Sequence, residues 1–167
     1  NVNLSIRGNK TIGTELDASP IYKYSTTPVT NGAGTLSLTD IEFDTYTIEN
    51  TDGYELAHAC TDVPLVHEAG IDSEVELVLT SAGANTLRTM VLNSEGVPIP
   101  GVDVTLSRTG FTDTITTDIC GQAFFSSGVA AQPDYSLTAT RAGYNTTTVD
   151  PYDLSGASKT IIVMTEI

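Results

Sequence analysis

Apolar residues recur along this chain at every second position, in short runs separated by turn-forming residues. In NVNLSIRG (1–8), Val2, Leu4 and Ile6 alternate with polar neighbours. In IDSEVELVLT (71–80), Ile71, Val75, Leu77 and Leu79 fall on one side and Asp72, Glu74 and Glu76 on the other. Period two is the mark of a half-buried strand, because successive side chains of a strand point to opposite faces. The pattern predicts strands over 2–8, 20–29, 35–41, 45–50, 54–60 and 71–80 in the first half. In the second it predicts strands over 86–93, 102–108, 112–117, 122–126, 135–140, 144–149 and 159–165. No stretch has helical periodicity. Six or seven short strands in each half predict an all-β protein of two tandem seven-stranded β-sandwiches, at 1–80 and 86–167, with SAGAN (81–85) as the linker.

The halves echo one another. TNGAGTLSL (30–38) and TDICGQAFF (117–125) each place Thr, then Asn or Asp, then Gly three residues on. Downstream, Tyr46 answers Tyr135, Gly53-Tyr54 answers Gly143-Tyr144, and VELVL (75–79) answers IIVM (161–164). The shared turn has a mechanism. Asn31 and Asp118 bond their side chains to amides just ahead, and Gly34 and Gly121 supply a positive φ. Thr30 and Thr117 close the preceding strand, which predicts a hairpin in each half. The four paired tyrosines are expected in the core, leaving Tyr22, Tyr24 and Tyr152 as candidate surface contacts.

Composition sharpens this picture. Thr and Ser together approach a quarter of the 167 residues, as suits half-exposed strand faces. The formal charge is −14. Residues 1–80 hold 13 acids against Arg7, Lys10 and Lys23, and the remainder 8 acids against Arg88, Arg108, Arg141 and Lys159. Such a field repels phosphate backbones and anionic membranes, so nucleic acid is excluded as a partner. No apolar run is long enough to span a bilayer, so no direct membrane insertion is expected in this segment. The chain starts at Asn1, which suggests a mature or excised segment.

VLNSEGVPIPGVDVTLSRTG (91–110), TTDICGQAFFSSG (116–128) and YSLTATRAGY (135–144) together resemble the carboxypeptidase-regulatory-like module over roughly 86–165. That family has a transthyretin-like (prealbumin-like) sandwich and is related to Cna protein B-type surface modules. The first half resembles a divergent member; its SPIYKYSTT and FDTYTI segments are also similar to globular extensions of bacterial prepilin-like proteins. The resemblance implies a non-enzymatic extracellular module. It would be part of a pilus-like filament or adhesin stalk, self-associating or joined to further domains. The alternative is a glycan- or protein-binding accessory module.

The chemistry-bearing residues are few. An even cysteine count in a secreted-looking chain favours a Cys60–Cys120 disulfide over free thiols or bonds to other chains. His58, two residues from Cys60, permits a Cys–His dyad on paper, but nothing marks an orienting group or oxyanion hole. HAC (58–60) with a distant Cys120 lacks the paired spacing of structural zinc sites, so no metal or cofactor is expected. The intramolecular isopeptide bonds of related surface domains need a lysine on the first strand. Arg88 stands there in the second half, and Lys10 falls after the strand in the first. The trios Asp40, Glu42, Asp44 and Asp72, Glu74, Glu76 read as solvated strand faces, with calcium as the sharper alternative. Asn3, Asn9 and Asn145 head N-x-S/T sequons and are candidate glycosylation sites. The terminal strands NVNLSIRG and IIVMTEI are expected to offer edges to neighbours.

Overall fold

The computed structural model describes residues 1–83 and 85–167, and all regular structure among them is strand. The chain divides into two compact units, Asn1–Ser81 and Ala82–Ile167. Position 84 of the expected linker lies outside the described residues.

Among the described residues the second unit contains seven strands. They are β9 (Thr86–Asn93), β10 (Asp103–Arg108), β11 (Phe111–Thr116), β12 (Gln122–Phe125), β13 (Gln132–Thr140), β14 (Thr147–Leu154) and β15 (Ala157–Met164). One sheet runs β11-β10-β13-β14 and the other β12-β9-β15. The alternation anticipated from the sequence decides which side chains meet. Val104 and Leu106 of β10, Tyr135 and Leu137 of β13, and Ile162 and Met164 of β15 are buried in a common core with Leu87, Val91 and Phe125. Each large apolar side chain taken out of water there contributes about 1.5–3 kcal/mol before entropy is counted. Outward positions are polar and in register. Thr114, Thr105, Thr138 and Thr148 form a row across four strands. Within it, hydroxyl pairs lie 2.8 Å (Thr105–Thr114) and 3.2 Å (Thr138–Thr148) apart. Part of the threonine thus goes to cross-strand pairs on a solvated face.

The first unit has eight strands: β1 (Leu4–Gly8), β2 (Thr11–Thr14), β3 (Pro20–Tyr22), β4 (Ser25–Thr26), β5 (Asp44–Asn50), β6 (Tyr54–Cys60), β7 (Leu65–His67) and β8 (Glu76–Ser81). A four-stranded sheet runs β4-β1-β5-β7, β2 pairs with β3, and β6 pairs with β8. Its core is small, Leu4, Ile6 and Tyr46, with Tyr24, Ile48 and Leu65 against them.

Several expected elements differ. Residues 35–41 form no strand, yet Leu36 and Ile41 still pack on the core. The alternation there marks anchor points of a loop rather than ladder positions. The strand expected over 71–80 begins only at Glu76. β1 is not an edge: it pairs with β4 on one side and β5 on the other, so its backbone is not available to a neighbour. β15 does lie at a sheet edge. The turn at 118–121 is not a hairpin either. It carries the chain from β11 in one sheet to β12 in the other.

Candidate functional site

The two turns singled out in the sequence share one hydrogen-bond pattern. In the first, Gly34 N donates to Asn31 O (2.9 Å) and Asn31 N to Thr35 O (2.9 Å). The amides of Ala33 and Thr35 donate to Asn31 Oδ1 at 2.9 and 3.0 Å. In the second, Gly121 N donates to Asp118 O (3.0 Å) and Asp118 N to Gln122 O (3.0 Å). The amides of Cys120 and Gln122 donate to Asp118 Oδ1 at 2.9 and 3.0 Å. Gly34 and Gly121 have φ of 78° and 70°. A third copy, unnoticed in the sequence, is built by Asn93, whose Oδ1 accepts from Glu95 and Val97 (3.0 and 2.8 Å) ahead of Gly96. Its signal was in plain view as N-x-x-G in NSEG (93–96).

The turns differ in setting. A Cβ on Gly34 would meet open space, whereas one on Gly121 would lie 2.7 Å from Val91 O and 3.0 Å from Ile99 N. The second turn is wedged against β9, and the first is on the surface.

Two of the paired tyrosines are core anchors. Tyr46 donates its hydroxyl to Glu42 O (2.6 Å), and Tyr135 to Ala130 O (3.2 Å), each reaching back to the loop before its own strand. Each also meets an aromatic ring edge-on, Tyr24 at 5.6 Å and Phe111 at 5.9 Å. Burial pushes the Tyr46 hydroxyl above its ordinary pKa, with Asp44, Tyr24 and Glu42 adding to the effect. The other pair, Tyr54 and Tyr144, is not core: Tyr54 is 47% exposed and Tyr144 half-buried. A glycine at positive φ precedes each; Tyr144 still packs against the rim of the second unit's core.

The acidic trios do not form strand faces. Asp40 sits in a loop at φ 58°, while Glu42 takes Lys23 at 2.5 Å and Lys10 at 3.4 Å. Asp44 turns to the β1–β2 corner, where its carboxylate accepts from Lys10 N (2.9 Å) and Thr45 N (2.8 Å). Burial pushes its carboxyl up, but the amides of Lys10, Thr45 and Asn9 and the Lys10 charge outweigh that and hold it below the usual range. A Cβ on Gly8 would press on the Asp44 carboxylate, so the glycine leaves that carboxylate room in the corner. Lys10 is engaged in the same corner. Its ammonium donates to Phe43 O and lies 3.4 Å from the Phe43 ring centre. In the second trio, Asp72 and Glu74 precede β8 and only Glu76 is on a strand.

Neither cysteine is free: Cys60 and Cys120 are both disulfide-bonded. That removes the thiolate on which a Cys–His dyad or a zinc site would depend.

The sequons have different surroundings. Asn145 donates its side-chain amide to Thr165 O, Thr165 Oγ1 and Glu166 O (3.3, 3.2 and 3.3 Å), which ties down the end of the chain beyond β15. Asn3 donates to Asp52 Oδ1 at 2.6 Å. Asn9 is exposed at the β1–β2 corner.

The terminal strands of the second unit have the geometry with the clearest functional consequence. β9, its first strand, and β15, its last, run parallel and in unbroken register from Thr86↔Ala157 to Asn93↔Met164.

The fold is that of an all-β protein with sandwich architecture. Residues 86–165 match the model of the carboxypeptidase regulatory-like domain, the family that the sequence of the second unit resembles. No curated protein matches the chain. Among solved structures, a type II cohesin–X-dockerin complex from Acetivibrio cellulolyticus is 22% identical over 47% of this chain and 56% of that one, with a TM-score of 0.38. The Bacillus anthracis TIE protein is 14% identical over 99% of this chain and 34% of its own (TM-score 0.39). The shaft pilin SpaA from Lactobacillus rhamnosus GG is 10% identical over 99% of this chain and 84% of its own (TM-score 0.38). The chain thus spans about half the length of the first and a third of the second.

Proposed function

We propose that this chain is a non-enzymatic structural module of the cell surface, a subunit or globular part of a pilus-like filament or adhesin stalk, and that it transmits tension. The parallel β9–β15 ladder carries this reading. Because the two strands are parallel, the chain enters the unit at one end of the ladder and leaves at the other. Eight residues per strand separate the ends by roughly 26 Å at 3.3 Å per residue. Pulling on the ends therefore loads the ladder hydrogen bonds together, in shear, instead of opening them one after another. The rate of forced unfolding then depends on breaking many bonds in one event.

One further feature supports it. Disulfide-bonded cysteines suit an oxidising, extracellular compartment. As the chain's two cysteines, Cys60 and Cys120 are proposed to pair with each other, closing a loop of about 60 residues worth roughly 4 kcal/mol in the chain-entropy model. The glycan-binding alternative has less behind it, because the Tyr22 and Phe43 rings are occupied by Arg7 and Lys10.

The test is single-molecule force spectroscopy with two handle placements on the same protein. Handles at residues 85 and 167 shear the ladder; handles at 86 and 157 unzip it. The expected result is a higher unfolding force for the first placement, and equal forces would sink the mechanical reading. Negative-stain microscopy of native material tests the assembly: filaments are expected, and monodisperse particles at high concentration would oppose them.

A further inference from the structure

The two units differ in what accompanies their last strand. In the second, β9 lies between β15 and β12 and completes a three-stranded sheet. In the first, β8 carries ELVL of the VELVL run matched to IIVM of β15. Among the described residues its one strand partner is β6, antiparallel. No described strand of the first unit occupies the place that β9 holds in the second.

The core records the difference. Leu77 and Leu79 alternate with exposed Glu76 and Val78, as an inward-facing strand requires, yet both stay half-buried. With Ile48 of β5 and Leu56 of β6 they line an open cleft of roughly 330 Å³, which has Glu49 and Asn50 beside it. Ile48 comes from the sheet of β5 and the other three from the β6–β8 pair, so two sheets contribute to the cleft. Four aliphatic side chains facing water in one cleft are a standing drive for burial.

We propose that this cleft is the docking site for an extended segment of another polypeptide, apolar at alternate positions and carrying a cation, which adds as a strand beside β8 and completes the sandwich. The period of two follows from a cleft walled by two sheets, one to receive apolar side chains and one to supply backbone partners. The cation follows from charge. Glu49 lines the cleft, Glu76 is exposed on β8, and residues 1–80 hold 13 acids against three cations. β9 comes near this chemistry: Leu87 and Val91 share the face in its own core with Thr89 between them, and Arg88 supplies the cation. It serves as the template for a probe.

The experiment titrates a capped peptide of residues 85–93, NTLRTMVLN, into the full-length protein by calorimetry and maps the contact by amide hydrogen exchange. Saturable binding with new protection at 76–81 is expected. Binding should weaken at least tenfold when the peptide carries R88E or the protein carries Glu49→Lys, and likewise with Leu79→Asp. The peptide variant and the exposed Glu49 leave the fold of the protein untouched, so the result does not hinge on whether Leu79→Asp folds. Absence of saturable binding, equal binding of a scrambled peptide, or protection confined to the second unit would each overturn the proposal. The mechanical reading rests on β9 and β15 and would survive any of these.

Discussion

Thr117 and Val102 hold each other by a reciprocal pair of bonds: Thr117 N donates to Val102 O at 2.8 Å, and Val102 N to Thr117 Oγ1 at 2.9 Å. The same hydroxyl donates onward to Ile99 O at 2.9 Å. Thr30 and Val2 repeat the exchange in the first unit, at 3.0 Å and 2.7 Å. Thr117→Val keeps the shape and removes the hydroxyl, leaving a buried amide and a carbonyl without their partner. It should lower the stability of the second unit by about 2 kcal/mol in urea titration, while Thr117→Ser should cost less than half of that. An equal loss for both would mean that the methyl matters as much as the hydroxyl.

Gly121 and Gly34 occupy the same turn with the same sign of φ, so the strain of a Cβ in that conformation is common to both, about 1 kcal/mol. Only Gly121 adds a collision with backbone, 2.7 Å from Val91 O. Gly121→Ala should therefore cost about 3 kcal/mol and Gly34→Ala about 1 kcal/mol, measured as the shift in denaturant midpoint.

Acid should weaken the first unit. Asp17, Glu42, Asp44 and Asp52 lie there, each held below its ordinary pKa. For Asp17 the cause is Ser19; for Glu42, the Lys23 bond and Lys10 against opposing burial; for Asp52, the amide and side chain of Asn3. In Asp44 the surrounding amides and Lys10 outweigh burial. A lowered folded-state pKa means that the unfolded chain binds the proton first. The stabilisation is whole above the unfolded carboxyl value near 4 and is lost as pH falls through the lower folded values. Hydrogen exchange at pH 5 and pH 2.5 should show protection in β1 and β5 falling with acid, and Asp44→Asn should remove part of that dependence. Unchanged protection across this range would contradict the assignment.

Glycan occupancy should separate the sequons. Asn145 uses its amide nitrogen, the atom a glycan needs, to hold Thr165 and Glu166, and Asn3 uses its own on Asp52. In a glycosylating host that modifies folded chains, Asn9 should be occupied most, as peptide mass spectrometry would report. Asn145→Ala should loosen the C-terminal end, with faster exchange at 165–167 and a stability loss of about 1 kcal/mol.

Strand period, turn chemistry and the family likeness of the second unit were legible because each is written locally. Val104 and Leu106 alternate with Thr105 and Ser107, and Asp118 with Gly121 needs only four residues to make its turn. The matching of Tyr46 to Tyr135 was likewise visible, since both reach back a few residues along the same chain. What lay beyond the sequence was pairing across distance. Period two shows that a run has an inner and an outer face, not which strand lies beside it. So 118–121 looked like a hairpin though it changes sheets, and β1 looked like an edge though it is enclosed by β4 and β5. The acids of 40–44 share a parity but not a face, because the positive φ at Asp40 and the amides of the β1–β2 corner turn them apart. Residues alone determined which side chains seek burial. Only the tertiary structure decided that β15 finds β9 in parallel, while β8 keeps half of its apolar face in water.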